Sequence, residues 1–132
     1  MKSGRVLVVD DQPDVRATLS GLLSDLGCEV NSVSSRAEAL IAMDSELFHV
    51  AVLDVRLDDS DSDNRDGLLL MHDIRRKWPS TSVLILTGYS TLAIVQEALQ
   101  PNRDGASLAI GFLEKSEFDR LLDYVEMALD HV

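Results

Sequence analysis

The sequence predicts an α/β fold in which a five-stranded parallel sheet is covered by helices on both faces. Five short strand-like runs alternate strictly with five segments of helical periodicity, and most of the strand runs are apolar throughout. Parallel strands joined by helices need right-handed crossovers, which place helices on both sides of the sheet. For five such units we expect the doubly wound strand order 2-1-3-4-5, the flavodoxin-like three-layer sandwich.

The first half of the chain supplies three strands and two helices. Pro13 suits the first turn of a helix, and Gly27 suits its end. Ser35 and Glu38 form a capping-box pattern that opens the second helix. The strands predicted here span 6–9, 29–33 and 49–54. Helical spacing predicts that the inward-facing residues are Val15, Leu19, Leu22, Leu23 and Leu26 in the first helix and Leu40, Met43 and Leu47 in the second.

The second half supplies two strands and three helices. Pro79 stops the third helix, predicted over 68–78, and Pro101 follows the fourth, predicted over 91–99. Ser116 is placed to cap the last helix. The strands predicted here span 82–87 and 109–113. The inward-facing residues are predicted to be Leu70, Met71, Ile74 and Trp78 in the third helix and Phe118, Leu121, Leu122, Val125, Ala128 and Leu129 in the last.

Composition indicates a single soluble domain, residues 1–132, in the cytoplasm. The apolar content is 45%, and no apolar run reaches the roughly 18 residues that a membrane span needs. The first strand is too short for the hydrophobic segment of an export signal, and the single cysteine, Cys28, cannot form an internal disulfide. The formal charge of -11 disfavours direct binding to nucleic acid and to anionic membranes.

Acidic residues stand at the ends of two neighbouring strands of the predicted sheet. Asp10 and Asp11 follow the first strand and Asp54 ends the third, and these strands are neighbours where the connections diverge. Three carboxylates held this closely either share a proton or hold a metal ion between them. Oxygen ligands, with positions left for water and phosphate, suit Mg²⁺ better than Ca²⁺. The sequence therefore predicts a magnesium site at this edge.

Two further polar residues reach the same edge, because Thr87 ends the fourth strand and Lys115 follows the fifth. The Thr87 hydroxyl can donate a hydrogen bond to a phosphoryl oxygen, and the Lys115 ammonium can neutralise its charge. A cation before a helix N-terminus is disfavoured by the helix dipole, which indicates an anionic partner nearby. Taken singly, each residue is better explained as a turn, a cap or a solvated side chain than as a functional group. Their coincidence at four strand ends favours a phosphoryl-accepting site.

Four segments together resemble the response regulator receiver domain of two-component signalling, and the resemblance covers nearly the whole chain. They are Val8-Val9-Asp10-Asp11-Gln12-Pro13-Asp14-Val15-Arg16, Val52-Leu53-Asp54-Val55-Arg56-Leu57, Leu84-Ile85-Leu86-Thr87-Gly88-Tyr89 and Gly111-Phe112-Leu113-Glu114-Lys115. The resemblance implies that Asp54 accepts a phosphoryl group from a histidine kinase or a phosphotransfer protein and forms an acyl phosphate.

The same resemblance implies a ligand set for Mg²⁺. Asp11 is then a direct ligand and Asp10 acts through water. Asp54 and the backbone carbonyl of Arg56 complete the protein's contribution.

The resemblance also implies a switch. Thr87 and Lys115 bind the phosphoryl oxygens, and the new hydrogen bond of Thr87 draws in the loop before the fourth helix while Phe112 turns inward. The surface formed by the fourth helix, the fifth strand and the fifth helix then changes, and an effector domain or a partner protein responds to it. Homodimerisation through the fourth and fifth helices, common among relatives, is left open.

Three departures from the family pattern bear on these expectations. Ser116 follows the lysine where the family usually has proline, and a cis bond without proline costs about 2.5 to 4 kcal/mol, so we expect a trans peptide. Phe112 lacks the hydroxyl of the frequent tyrosine, so switching there must be a change of packing. The stretch between Leu99 and Phe112 is longer than usual, which affects the surface that partners would contact.

An acidic stretch over 58–66 replaces the short proline-containing turn of the family. Three of its aspartates imitate the opening of a calcium-binding loop, but Asn64 and Leu70 stand where such a loop needs glycine and glutamate. We interpret the stretch as a solvated acidic loop beside the crevice, where it could attract cations or restrict the approach of a phosphodonor.

Two alternatives from other classes stay open. A small phosphatase with an aspartate nucleophile would use the same metal chemistry, but such enzymes generally carry a second acid two residues later, where this chain has Arg56. A pseudo-receiver that binds partners without phosphorylation is compatible with Ser116 and the long loops. The three histidines lack metal-ligand spacing and Trp78 ends an apolar stripe, so we interpret them as structural or surface residues.

Overall fold

Strands and helices alternate along the whole of the computed structural model, which describes residues 4–58, 60–61, 63–88, 92–101 and 108–130. The elements are β1 (Arg5–Val9), α1 (Pro13–Asp25), β2 (Glu29–Val33), α2 (Arg36–Ser45), β3 (Val50–Leu53), α3 (Asp66–Lys77), β4 (Ser82–Thr87), α4 (Leu92–Leu99), β5 (Gly111–Glu114) and α5 (Phe118–Asp130). None of the described helices is long and apolar enough to cross a membrane.

The five strands form one parallel sheet in the order β2-β1-β3-β4-β5, as predicted. Val9 at the end of β1 pairs with Leu53 at the end of β3, so the residues that follow these strands emerge side by side. On the far side of β3, Thr87 at the end of β4 pairs with Glu114 at the end of β5. The Lys115 N–H then donates to the Thr87 carbonyl at 3.1 Å. The register therefore delivers four strand ends to one edge.

The core lies in two layers, one on each face of the sheet. Alternate residues of a strand point to opposite faces, so Leu7 and Val9 join one layer while Val6 and Val8 join the other. The first layer is covered by α2, α3 and α4, and the second by α1 and α5. Burial of both faces confirms the interpretation of the apolar strand runs.

Local sequence signals account for the helix ends of the first half. The helix α1 begins at Pro13 as predicted, and Gly27 follows its end with a φ of 91°, a left-handed conformation that glycine adopts without steric penalty. The Ser35 hydroxyl caps α2 by accepting from the Glu38 N–H at 3.2 Å. The Glu38 carboxylate in turn accepts from the Ser34 N–H. This confirms the predicted capping box, although the usual donor would be the N–H of the cap residue Ser35.

Three predicted details were wrong. Leu47 is 64% exposed, because α2 ends at Ser45 and Phe48 enters the core in its place. The strand β5 begins at Gly111 rather than 109, since the Ala109 N–H donates to the Ala98 carbonyl of α4 instead of to the sheet.

The third detail concerns the last helix. Glu117 rather than Ser116 precedes it, because the Glu117 N–H donates to the Glu114 carbonyl at 2.9 Å and closes a turn there. The peptide bond before Ser116 is trans as predicted, and none of the described peptide bonds is cis. In α5, Leu121, Val125 and Leu129 are buried as predicted.

The remaining sequence predictions concern α3 and some residues that the structure does not describe. In α3, Leu70, Met71 and Ile74 are buried as predicted, and the half-buried Trp78 packs against the same layer. Several predictions fall outside the described part of the chain: the start of the fourth helix at Thr91, the polar connection over 102–105, and the role of His131. Asp59 and Ser62 of the acidic stretch also lie outside it.

A charged contact joins two helices of the first layer. Asp73 of α3 has a side chain that is only 11% exposed, and its Oδ2 accepts from the Nε and Nη2 of Arg36 at 2.9 and 2.8 Å. Because a buried carboxylate is destabilising unless donors satisfy it, Arg36 at the start of α2 stabilises the packing of α2 on α3.

Candidate functional site

Three carboxylates meet at the carboxyl edge of the sheet, where the sequence placed them. Asp10 and Asp11 follow β1 and Asp54 follows β3, and one oxygen from each lies within 4.8 Å of the others. Asp10 and Asp54 are only 2% and 4% exposed, and Asp11 is half-buried. Within the described part of the chain, no other group of three acids, histidines or cysteines could hold a metal ion.

Backbone hydrogen bonds fix the position of these acids. The Asp54 N–H donates to the Val9 carbonyl at 2.9 Å, and the Asp10 N–H donates to the Val33 carbonyl at 3.1 Å. Both bonds continue the parallel pairing one residue beyond the strands. The Arg16 Nη1 donates to the Asp10 carbonyl at 2.7 Å and holds the loop from the side of α1. The carboxylates are therefore held by the sheet rather than by a loose loop.

Lys115 closes the site from the fifth strand. Its Nζ lies 3.0 Å from Oδ2 of Asp54 and 3.0 Å from Oδ2 of Asp10, and it donates to Oε1 of Gln12 at 2.8 Å. An ammonium has three N–H donors, so these three acceptors use its full capacity. The side chain of Lys115 points into the site, as the helix-dipole argument required.

Thr87 contacts the same carboxylate from β4. Its hydroxyl donates to Oδ1 of Asp54 at 2.9 Å, and the residue is only 1% exposed. Each oxygen of Asp54 therefore has its own donor, with Thr87 on Oδ1 and Lys115 on Oδ2. This arrangement fixes the plane of the carboxylate in the crevice.

The electrostatics of the site follow from its burial. Burial and, to a smaller extent, the negative charge of Asp10 raise the pKa of Asp54 to about 6, against the opposing effect of Lys115 and Thr87. Burial lowers the pKa of Lys115, but its contacts with Asp10 and Asp54 more than compensate and raise it overall. At neutral pH, Asp54 is therefore mainly an ionised carboxylate beside a charged ammonium.

The donor set fits a small divalent cation. When all three acids are ionised, Lys115 neutralises only one of their charges, which leaves a net double negative charge in a largely buried crevice. Buried like charges repel strongly unless a cation lies between them. Carboxylate oxygens alone form a hard ligand set that suits Mg²⁺.

Arg56 and Phe112 lie where the sequence predicted, but their roles stay predictions. Arg56 is half-buried two residues beyond Asp54. Phe112 is half-buried in β5, opposite Ile85 in the register, and packs against the first core layer.

Sequence reasoning missed three residues that shape the site. Gln12 accepts a hydrogen bond from Lys115, and the only sequence signal for a role in the site is its position next to Asp11. Gly67, at the start of α3, donates its N–H to the Val55 carbonyl at 2.9 Å. The side-chain oxygen of Asn64 accepts from the Leu57 N–H at 2.9 Å, so Asn64 secures the loop that follows β3.

The acidic stretch uses its carboxylates in local turns. Oδ1 of Asp58 accepts from the Ser60 N–H at 3.0 Å, and Oδ1 of Asp61 accepts from the Asp63 N–H at 3.0 Å. The Ser60 hydroxyl and N–H lower the pKa of Asp58. These contacts agree with the interpretation of a solvated loop.

Two histidines have structural contacts, as predicted. His72 Nε2 lies 3.1 Å from Oε2 of Glu97, whose other oxygen pairs with Arg65, so Glu97 connects α4 to α3 and to the end of the acidic stretch. His49 Nδ1 accepts from the Arg5 N–H at 3.0 Å.

The fold and the site together define a doubly wound α/β protein with an acidic, lysine-closed crevice at its switch point. The sequence matches the response regulator receiver domain family over residues 6–126, and the chain belongs to that family. It is a receiver domain of the kind that two-component response regulators carry.

Curated relatives are much longer than this chain. It is 30% identical over 132 residues to the DNA-binding transcriptional regulator NtrC of Escherichia coli K12, a match that covers 99% of this chain and 26% of NtrC. It is 31% identical over 130 residues to the response regulator protein PilR of Pseudomonas aeruginosa, covering 98% of this chain and 27% of PilR. The chain thus spans about a quarter of the length of these relatives.

Solved structures share this fold over nearly the whole of this chain. The response regulator TrrA of Thermotoga maritima, solved in complex with Mg²⁺-BeF, has a TM-score of 0.78 and 27% identity, covering 95% of this chain and 98% of TrrA. The signal receiver domain of an HD domain-containing protein from Pseudomonas fluorescens has a TM-score of 0.83 and 25% identity, covering 98% of this chain and 97% of that one.

Proposed function

We propose that this receiver accepts a phosphoryl group on Asp54 from a histidine kinase or a phosphotransfer protein. The observation that carries the proposal is the surroundings of one buried carboxylate. Thr87 contacts its Oδ1, Lys115 contacts its Oδ2, and Asp10 and Asp11 each offer an oxygen within 4.8 Å of one of its own. A structural aspartate needs donors, but it does not need two further acids beside it.

In the proposed reaction, an ionised oxygen of Asp54 attacks the phosphorus of the donor. The bond from phosphorus to the donor atom breaks as the new phosphorus–oxygen bond forms, and no proton has to leave Asp54 because its carboxylate is already ionised at neutral pH. The ammonium of Lys115, 3.0 Å from Oδ2, stabilises the negative charge on the transferring group. This chemistry modifies the protein itself, so we propose a signalling module rather than an enzyme with an external substrate.

Mg²⁺ is the cation we propose for the acid cluster. Asp10, Asp11 and Asp54 would hold it together with the backbone carbonyl of Arg56, Asp10 acting through water. When bound, it supplies charge neutralisation that lets the carboxylates and an anionic phosphodonor share the crevice.

After transfer, Thr87 and Lys115 are the proposed ligands of the phosphoryl oxygens. The Thr87 hydroxyl already donates to Asp54, so it exchanges a carboxylate acceptor for a phosphoryl one without leaving the site. We propose that this exchange draws in the loop before α4 and that Phe112 repacks inward, which changes the surface of α4, β5 and α5.

The wider setting of the protein is also part of the proposal. We propose that residues 1–132 form one receiver domain in the cytoplasm, where it meets its kinase. An effector domain or a separate partner protein would respond to the switched surface, as the relatives named DNA-binding and transcriptional regulators suggest. The net charge of -11 argues against direct nucleic acid binding by the receiver itself.

One experiment tests the proposed function. The protein is incubated with Mg²⁺ and acetyl phosphate, and the intact mass of the wild type is compared with that of Asp54→Asn. A phosphoryl adduct on the wild type alone is the expected result. Absence of an adduct on the folded wild type would favour the pseudo-receiver, and multiple turnover of unrelated phosphoesters would favour the phosphatase.

A further inference from the structure

The ammonium of Lys115 has one neutral acceptor among its three partners. Asp10 and Asp54 belong to the acid cluster, whereas the third partner is the side-chain amide of Gln12, at 2.8 Å from Nζ. An ammonium can only donate, so the amide atom that faces it is the oxygen. This contact joins residues on β1–α1 and after β5, at opposite ends of the chain.

The backbone of Gln12 is held on both sides. Its N–H donates to Oδ1 of Asp10 at 2.9 Å, and its carbonyl accepts from the Arg16 N–H at 3.1 Å in the first turn of α1. Pro13 restricts the preceding residue to extended conformations, and Gln12 has φ -92° and ψ 115°. The amide oxygen is therefore presented from a fixed backbone.

The other two partners change during the proposed reaction, while Gln12 does not. Phosphoryl transfer removes a formal carboxylate from Asp54, and a cation in the acid cluster weakens the attraction of Asp10 and Asp54 for the ammonium. The Gln12 amide is neutral, and neither event changes its charge. In addition, Ser116 leaves the backbone after Lys115 without the restriction that a proline imposes.

We propose that Gln12 is a positioning residue that holds the Lys115 ammonium against Asp54, an inference that rests on the proposed phosphorylation of Asp54. It acts through Lys115 rather than on the phosphoryl group. The amide oxygen keeps the ammonium directed into the crevice when the carboxylates are neutralised or modified, so Lys115 is in place when the phosphoryl group arrives.

Lysine modification gives a readout that does not depend on phosphorylation. The chain has three lysines, Lys2, Lys77 and Lys115, so their acetylation by N-hydroxysuccinimidyl acetate can be followed separately by peptide mass spectrometry. The metal-free wild type is compared with Gln12→Met, which keeps the length of the side chain but loses the acceptor. Gln12→Glu restores an acceptor oxygen, and Gln96→Met makes the same chemical change at an exposed position of α4.

We expect Lys115 to be acetylated about 3- to 10-fold faster in Gln12→Met, since a hydrogen bond to a charged group is lost. Lys77 should react at the same rate in all four proteins, and Lys115 should be no faster in Gln12→Glu or Gln96→Met than in the wild type. An unchanged Lys115 rate in Gln12→Met would overturn the inference.

The second measurement is the rate of phosphorylation by acetyl phosphate with Mg²⁺. Gln12→Met should be about 3- to 10-fold slower than the wild type, in proportion to the loss of lysine positioning. A wild-type rate in Gln12→Met, despite a more reactive Lys115, would also overturn the inference. If the wild type takes no phosphoryl group at all, the proposed function fails, and the acetylation rates still decide whether Gln12 holds Lys115.

Discussion

Gly67 packs directly against the main chain of Asp54. A Cβ atom at position 67 would lie 1.7 Å from the Asp54 carbonyl oxygen and 2.8 Å from the Val55 Cα, which is far inside contact distance. Gly67 has no unusual φ, so the requirement is for space alone. The first turn of α3 thus packs against the backbone of Asp54 and helps to fix its position.

Gly67→Ala should displace Asp54 and destabilise the protein. The neighbouring atoms belong to the backbone and cannot move aside cheaply, so we expect a loss of at least about 1 to 3 kcal/mol in the free energy of unfolding. Urea unfolding measures it. Gly21→Ala is the matched control, because nothing lies within 4 Å of a Cβ there and alanine favours the helix. Equal stability of Gly67→Ala and the wild type would contradict the observed packing.

Asp54→Asn should stabilise the metal-free protein at neutral pH. The pKa of Asp54 is raised from 3.8 to about 6, so the folded state holds the proton more tightly than the unfolded state does. The contribution of this group to stability is therefore fully present below about pH 4 and is lost as the pH rises through 6. The difference corresponds to about 3 kcal/mol at pH 7 for a side chain that is 4% exposed.

Urea unfolding in the presence of a chelator, from pH 4 to pH 7.5, tests this pH dependence. Asparagine resembles a protonated aspartate, so the two proteins should be nearly equal at pH 4 and diverge as the pH rises. A constant difference across this range would show that the ionisation of Asp54 is not linked to folding.

Mg²⁺ should stabilise the wild type through the acid cluster. At ten times its Kd, a ligand that binds only the folded state adds about 1.4 kcal/mol to the free energy of unfolding. Asp11→Asn removes one of the three carboxylates and should abolish most of this gain. Asp44→Asn, the same charge change at an exposed position of α2, should keep it. Thermal unfolding against MgCl₂ concentration provides the measurement, and equal gains in the two variants would exclude Asp11 as a ligand.

Arg36→Met should loosen α2 from α3. It keeps the apolar stem but leaves Oδ2 of the buried Asp73 without its two charge-assisted donors, for an expected loss of about 1 to 3 kcal/mol. Arg120→Met is the control, since the exposed pair of Arg120 on α5 with Glu117, the residue before that helix, should contribute little. Urea unfolding compares the two variants, and an equal effect of both would mean that burial adds nothing to the Arg36 contact.

Strand and helix patterns sufficed to predict the sheet and the acid cluster. Asp10, Asp54 and Thr87 stand directly at strand ends, and a parallel register brings such positions to one edge regardless of side-chain detail. The contact of Lys115 with Asp54 follows from the same topology.

Contacts between distant side chains had no comparable signal. Arg36 and Asp73 are 37 positions apart, and neither helix shows in its own periodicity that they meet. The prediction that Leu47 faces the core was wrong because the apolar spacing continues past the end of α2. Apolar spacing does not mark where a helix stops. The role of Gly67 has no sequence signal, because a steric requirement leaves no pattern in the sequence.

The bond between Lys115 and Gln12 spans 103 positions of sequence. Until β5 has docked beside β4, a growing polypeptide holds its acids without their counter-charge, and the loop closure needed to bring them together is among the longest the chain can make. A receiver synthesised only as far as β4 should therefore not react with phosphodonors, and the ability to react should arise only once β5 has docked beside β4.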